Sequence, residues 1–476
     1  GGLGLLLAAW TTRALVTARP EGMPRVDSIR ADGAVLAFTL GVALATSVLA
    51  GLVPALRATE GGISGTLRGG GRGGPASRRG HRLRGGLVVG QMALAVVLLT
   101  GAGLLLRSFA RLVAVDPGFG VERVLAFRLE LPRAAYDPGH ETSGFYARFL
   151  ERVRGLPGVE AAGAVFRLPI AQGSFGSRFE VEGRAGQAGE EEPSIGVLSV
   201  TPGYFRTLGV PLLRGRGIAE EDRAGGPPVV VINRAAAERF FSGVDPVGRR
   251  LARFSYDPVE EAAESFTVVG VVGDVRGEAL DRAPEPEAFF AHAQVPLPAM
   301  SVVVRASGDP LALAGAVRRE LSALDPGLPA PEFRTLEQVV AESVARPRFL
   351  AGLLTLFAAA ALSLAALGVY GLLSYAVAQR TREIGVRIAL GARPRDVLEM
   401  VVRRALALAG AGVALGVGGS LALTRLLESQ LFGVGAGDPA TFAAVVSLLA
   451  ATALLASLVP ARRAARMSPL EALRTE

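Results

Sequence analysis

Five stretches of this chain carry no charged residue: 33–56, 85–106, 349–378, 405–424 and 439–461. Each is at least as long as the roughly 20 residues a helix needs to cross a hydrocarbon core about 30 Å thick. No water inside a bilayer satisfies loose peptide groups, so such runs must be helical. A further span is expected to end within residues 1–12. The opening Gly1-Gly2-Leu3, without Met, reads as an N-terminally truncated start. The expected fold class is a polytopic α-helical membrane protein with a large extracytoplasmic α/β domain held between two of its spans.

Composition narrows the chemistry. The formal charge of +8 comes from Arg alone, since the chain holds no Lys. A P-loop needs the Lys of G-x-x-x-x-G-K-[ST] to reach nucleotide phosphates, so these residues contain none; Schiff-base catalysis is excluded likewise. With no Cys there is no disulfide and no thiolate. His81, His140 and His292 stand far apart and form no metal-ligand spacing, and no Gly-x-Ser-x-Gly elbow occurs. Glu190, Glu191 and Glu192 read as a solvated turn. No catalytic residue, metal or cofactor is expected, and the chain is not read as an enzyme.

Arg also sorts the loops. Segments 57–84 and 379–404 each carry seven Arg, and the tail adds Arg462, Arg463, Arg466 and Arg474, whereas 426–438 has none. Cytoplasmic loops retain positive charge, which puts these three basic segments inside and 107–348 and 425–438 outside. The loop 13–32 falls outside by parity, its Arg diluted by Glu21, Asp27 and Asp32. The Gly- and Arg-rich 60–84 reads as a disordered linker touching anionic lipid, despite an RGG-like run at Arg68–Arg72. Membrane lipid, not nucleic acid, is the expected partner there.

The outer region, 109–345, reads as mixed α/β. Strands are expected at Val124–Leu131, Ser177–Val181, Pro228–Ile232, Phe266–Val272 and Met300–Val304. Helices are expected at 142–154, 233–241, 310–323 and 335–345, with Pro/Gly turns between. This alternation predicts two small α/β lobes. Within the spans no ionisable residue suggests a proton relay. Gln91 is expected in a helix–helix hydrogen bond, and the glycines of 410–419 in close helix packing.

The chain also repeats itself. Asp32, Ala45-Thr46, Leu52-Val53-Pro54-Ala55 and Arg57-Ala58 recur as Asp438, Ala451-Thr452, Leu458-Val459-Pro460-Ala461 and Arg463-Ala464. Both copies end inside, so the repeat is parallel. Residues 1–59 are then the last two spans of a first unit, and 85–476 form a whole second one.

The most informative stretch is Gln379–Val397. As a helical continuation of the preceding span it sets Arg380, Glu383 and Arg387 on one face, with Glu383 and Arg387 an i,i+4 pair in the favoured order. Ile384 and Ile388 form an adjacent apolar stripe. Gly391 stops that helix, and Pro394 opens the next, with Asp396 and Glu399 near its positive end. A short cytoplasmic helix–turn–helix of this kind is a docking surface.

The run Arg382-Glu383-Ile384-Gly385-x-Arg387, followed by Leu390-Gly391-Ala392, resembles the signature of the MacB/FtsX-type permeases of ABC transporters. So does the tail with Pro460, Arg463, Pro469, Leu473 and Arg474. The resemblance covers essentially the whole chain, and two units in one chain resemble the duplicated permeases of acidobacteria and related bacteria. It implies a layout of linker 60–84, span 85–108, MacB-like periplasmic core 109–345 and FtsX-like region 346–476. That region holds spans 349–378, 405–424 and 439–461, a coupling segment 379–400 and the tail 462–476. It further implies a cytoplasmic ABC ATPase in trans that pushes on Arg380, Arg382, Glu383, Ile384, Gly385, Arg387, Gly391, Ala392 and Arg395. The push would travel up long helices into the periplasmic domain (mechanotransmission), and pairing with another permease half or a periplasmic partner fits the same pattern. A transmembrane sensor or scaffold regulating an envelope enzyme is the alternative reading.

Overall fold

The computed structural model describes residues 75–137, 139–170, 175–181, 194–253, 265–379 and 393–465, with Val386, Arg387, Leu390 and scattered helical positions between 37 and 48. The expected spans at 1–12 and 33–56 otherwise lie outside the described residues, as do the first copy of the repeat, the RGG-like run and Glu190–Glu192.

Helix α1 runs from Pro75 to Val113. It starts before the apolar run, so residues 75–84 are helical where the sequence reading expected disordered linker. The reason is cooperative: a helix already nucleated by the span gains one hydrogen bond per residue added, and Pro suits a first position, where its missing N–H is not needed.

The chain then forms β1 (Val124–Glu130), α2 (His140–Arg154), β2 (Val159–Val165), β3 (Phe175–Val181), β4 (Ser194–Val200), α3 (Tyr204–Leu208) and β5 (Leu212–Gly215). There follow β6 (Val229–Asn233), α4 (Arg234–Phe240), β7 (Arg250–Arg253), β8 (Ser265–Val272), β9 (Glu287–Ala291), β10 (Ala299–Ala306), α5 (Ala314–Leu324), β11 (Arg334–Thr335) and α6 (Leu336–Ser343). All five expected strands and all four expected helices are present; β2, β4, β5, β7, β9 and β11 were not foreseen.

The strands join in the order β11-β1-β10-β2-β4-β3-β7-β8-β6-β9. Strand β9 returns to pair in parallel with β4, from Gly196↔Glu287 to Val200↔Ala291. The strands β4, β3, β7, β8, β6 and β9 therefore close into a ring. The antiparallel sheet β11-β1-β10-β2 hangs from that ring by the pair Val165↔Val200. Two cores result inside one continuous sheet, which is the form the expected lobes take. In the first, Leu125, Phe127 and Leu129 of β1 and Met300, Val302 and Val304 of β10 pack under Phe145, Phe149 and Val153 of α2 and Val317 and Leu321 of α5. The second fills the ring with Phe179, Ile195, Ile232, Phe266, Val268 and Phe290. The caps are local and legible: Asn233 Oδ1 accepts the Ala236 N–H at 2.9 Å, and Thr335 and Gln338 form a reciprocal capping box.

Three further helices follow: α7 (Ala345–Gln379), α8 (Pro394–Thr424) and α9 (Pro439–Ala465). With α1 they make four helices long and apolar enough to cross a membrane. At 1.5 Å per residue α7 is about 52 Å long, more than a bilayer core requires. Glycines let helices meet closely, as expected: a Cβ on Gly416 of α8 would stand 2.5 Å from Val96 Cβ of α1, and Gly412 lies equally tight against Met92. The Oε1 of Gln91 in α1 is buried without a hydrogen-bond partner and lies against Gly368 of α7, where only a glycine leaves it room.

Candidate functional site

The site singled out by the sequence is the inner end of α7, α8 and α9. Of its residues, Arg380, Arg382, Glu383, Ile384, Gly385, Gly391 and Ala392, and the tail residues Pro469, Leu473 and Arg474, lie outside the described residues. So does the Glu383–Arg387 pairing. Arg387 is described: it is helical and exposed, and its Nη1 donates to Met400 Sδ at 3.3 Å. Leu390 follows in a turn, its N–H donating to Val386 O at 2.9 Å, and is 83% exposed. The expected start of α8 is where the sequence placed it, with Pro394 in the first position. The Arg393 N–H donates to Asp396 Oδ2 at 2.9 Å, so a carboxylate satisfies a helix-entry donor at the positive end of the dipole. Arg393 and Arg395 are exposed beside it.

What the sequence reading missed is the apolar floor beneath these charges. Val397 and Val401 of α8 and Ala461 and Ala464 of α9 are buried. Val397 packs with Ala464, and Val377 of α7 and Met400 close the cluster. Thus the first turns of α8 and the last turns of α9 share one small core with the end of α7. Pro460 is buried within α9, while Arg462 and Arg463 are exposed. Val397 and Ala464, far apart in sequence, thus bring the start of α8 against the end of α9. The signal was available: Val397, Val401 and Ala405 recur every four residues, an apolar stripe running past the charged Arg395, Glu399 and Arg403.

Elsewhere, His292 is buried in the α/β domain with its Nε2 3.0 Å from Leu297 O. Among the described residues no group of three or more His, Asp or Glu could hold a metal ion.

Four helices long and apolar enough to cross a membrane accompany the α/β domain, and the region that holds the last three is of a permease type, a transport rather than a catalytic domain. Residues 85–321 match the MacB-like periplasmic core domain, and residues 355–469 the FtsX-like permease C-terminal region. The chain is a permease of the MacB/FtsX type carrying a MacB-like periplasmic core. It is a multi-pass protein of the bacterial inner membrane with its α/β domain on the periplasmic side. It is 26% identical over 302 residues to the macrolide export ATP-binding/permease protein MacB of Wolinella succinogenes, covering 60% of this chain and 45% of that one. To the probable syringafactin export ATP-binding/permease protein SyfD of Pseudomonas syringae pv. tomato it is 30% identical, covering 58% and 41%. The pyoverdine export ATP-binding/permease protein PvdT of the same organism is 26% identical over 401 residues, covering 82% and 56%. The chain spans about half the length of the curated relatives it matches.

Proposed function

We propose that this chain is the permease of a MacB-like export system, coupling ATP hydrolysis by a separate cytoplasmic ABC ATPase to movement of the periplasmic domain. The supporting relatives are named as fused ATP-binding/permease proteins, whereas these 476 residues contain no Lys and hence no P-loop. The engine therefore sits on other residues. In this reading it grips the segment with Arg380, Arg382, Glu383, Ile384, Gly385, Arg387, Gly391, Ala392 and Arg395, supported by the tail with Pro460, Arg463, Pro469, Leu473 and Arg474. The duplicated arrangement belongs to the same proposal, residues 1–59 being the end of an earlier unit.

One observation carries the reading. Val377, Val397 and Ala464 bind the inner ends of α7, α8 and α9 into one small core, so a force applied at the elbow is delivered to three spans together. The relatives carry a macrolide, syringafactin and pyoverdine in their names; the common feature is export, and the proposal extends to that direction and not to a cargo. The test is capture of the cognate ATPase by the full chain. Wild-type protein should retain it and Glu383→Arg should lose it while still inserting in the membrane. Equal capture by both would remove the elbow as the docking surface.

A further inference from the structure

Helix α7 runs by covalent continuity from the elbow into the periplasmic domain at Ala345. Helix α1 has no such link: its inner end leads away into residues before Pro75, and any force from the elbow must reach it through side chains. Apolar packing joins it to the other spans along the membrane core, and a set of polar contacts adds to this at its outer end. A Cβ on Gly103 would stand 2.8 Å from Thr441 Cγ2, so the start of α9 is seated directly on α1. One turn further out, Arg107 pairs with Asp438. The buried Ser108 accepts the Phe432 N–H on its Oγ at 2.8 Å. A turn beyond that, Gly433 lies on the side chain of Arg111, where its φ of +65° lets the backbone fold over.

Gly103, Arg107 and Arg111 are four residues apart and so share one face of α1. Gly103 meets the first turn of α9, while Arg107, Arg111 and the neighbouring Ser108 are occupied by the connection between α8 and α9. That connection contains Gly433, Gly435 and Gly437, a composition that would leave an unanchored turn loose. Asp438 does two jobs in it. Its Oδ2 accepts the Thr441 N–H at 2.9 Å and the Thr441 hydroxyl at 2.6 Å, capping α9, and it holds Arg107. These hydrogen bonds from Thr441, then the Arg107 charge, hold its carboxyl below the ordinary carboxylate range, so it is ionised at neutral pH.

We propose that the α8–α9 connection is a fixed latch on the outer end of α1, with Asp438 its positioning residue, so that movement of α8 is passed to α1 outside the membrane core. The inference rests on the mechanotransmission reading above and adds the second route: α7 is driven directly, α1 through the latch.

The test is hydrogen–deuterium exchange on the full chain in complex with its ATPase in nanodiscs, with and without a non-hydrolysable ATP analogue. Wild-type complex should show a nucleotide-dependent change at both residues 103–113 and the outer turns of α7. Asp438→Asn keeps the helix cap, because Asn caps as well as Asp, but removes the charge pair; it should lose the change at 103–113 and keep that at α7. Arg107→Gln removes the pair from the other side and should do the same, which covers failure of either variant to insert. The chain has no Cys, so an oxidised Ser108→Cys/Phe432→Cys pair can lock the latch, and in the Asp438→Asn background it should restore the change at 103–113. Retention of that change in both single variants, or its loss in the wild-type background on locking the latch, overturns the latch. Absence of any nucleotide-dependent change outside the inner ends of the wild-type spans overturns mechanotransmission itself.

Discussion

Glu287 opens β9 with its carboxyl inside the periplasmic domain, 3% exposed. Its N–H donates to Asn233 Oδ1, and its side chain is pressed against Gly277. Burial, reinforced by the nearby Asp274 and Glu285 charges, raises its pKa to about 8. The folded domain therefore keeps a proton that the unfolded chain releases near the ordinary value of 4.5, and stability falls as pH rises between about 4.5 and about 8. His292 works the other way. Burial lowers it to about 4 from an ordinary 6.5, so the unfolded chain binds the extra proton and stability falls as pH drops through that window. The two oppose each other between 4.5 and 6.5, and above 6.5 Glu287 acts alone. Glu287→Gln, nearly isosteric, should therefore flatten the loss of thermal stability of the periplasmic domain from pH 6.5 to 8. A slope identical to wild type would mean that the carboxyl is already ionised there.

At the scale of elements, the α1–α8 seam makes the sharpest mutational contrast. Gly416 faces Val96 at a distance no side chain tolerates, whereas Gly418, two residues on, has open space where a Cβ would stand. Gly416→Leu should destabilise the membrane unit by about 1–3 kcal/mol, the usual range for overpacking. Gly418→Leu should leave the midpoint of detergent-solubilised protein unchanged; equal effects would show that α8 turns another face to α1. The seam also shows what sequence can reveal. Charge-free runs and small residues at helical spacing disclose the spans and their close packing, because bilayer thickness and peptide desolvation allow one solution. Strand β2 is different. Its Ala161-Ala162-Gly163-Ala164 has no β-branched signal, and the reason lies in another element: a Cβ on Gly163 would stand 2.6 Å from Tyr204 Cα, so α3 demands small residues there. Strand β9 is short and closes the ring only by pairing in parallel with a strand about ninety residues away, which no local pattern announces. The start of α8 at Pro394 was legible through its helix-start chemistry. The apolar floor beside it was legible only on the α8 side, as the Val397, Val401 and Ala405 stripe, because Ala464 acquires meaning only when α9 returns to Val397.

At the scale of the whole molecule, orientation follows from where the periplasmic core is inserted. It lies between α1 and α7, so α7 must carry the chain inward, α8 outward and α9 inward again. The Arg distribution agrees without being asked to: the α7–α8 turn and the end of α9 are rich in Arg, and residues 426–438 have none. Two exposed leucines mark the opposite sides, Leu390 at 83% beside the elbow and Leu426 at 76% in the α8–α9 connection. Since the chain contains no Cys, a single introduced one gives an unambiguous label. Leu426→Cys should react with a membrane-impermeant maleimide on intact spheroplasts, and Leu390→Cys only after lysis. Labelling of Leu390→Cys from outside would place the elbow beyond the reach of any cytoplasmic ATPase. The proposed coupling, the latch and the role given to Glu383 would fall together, because each depends on force entering the membrane from the cytoplasm.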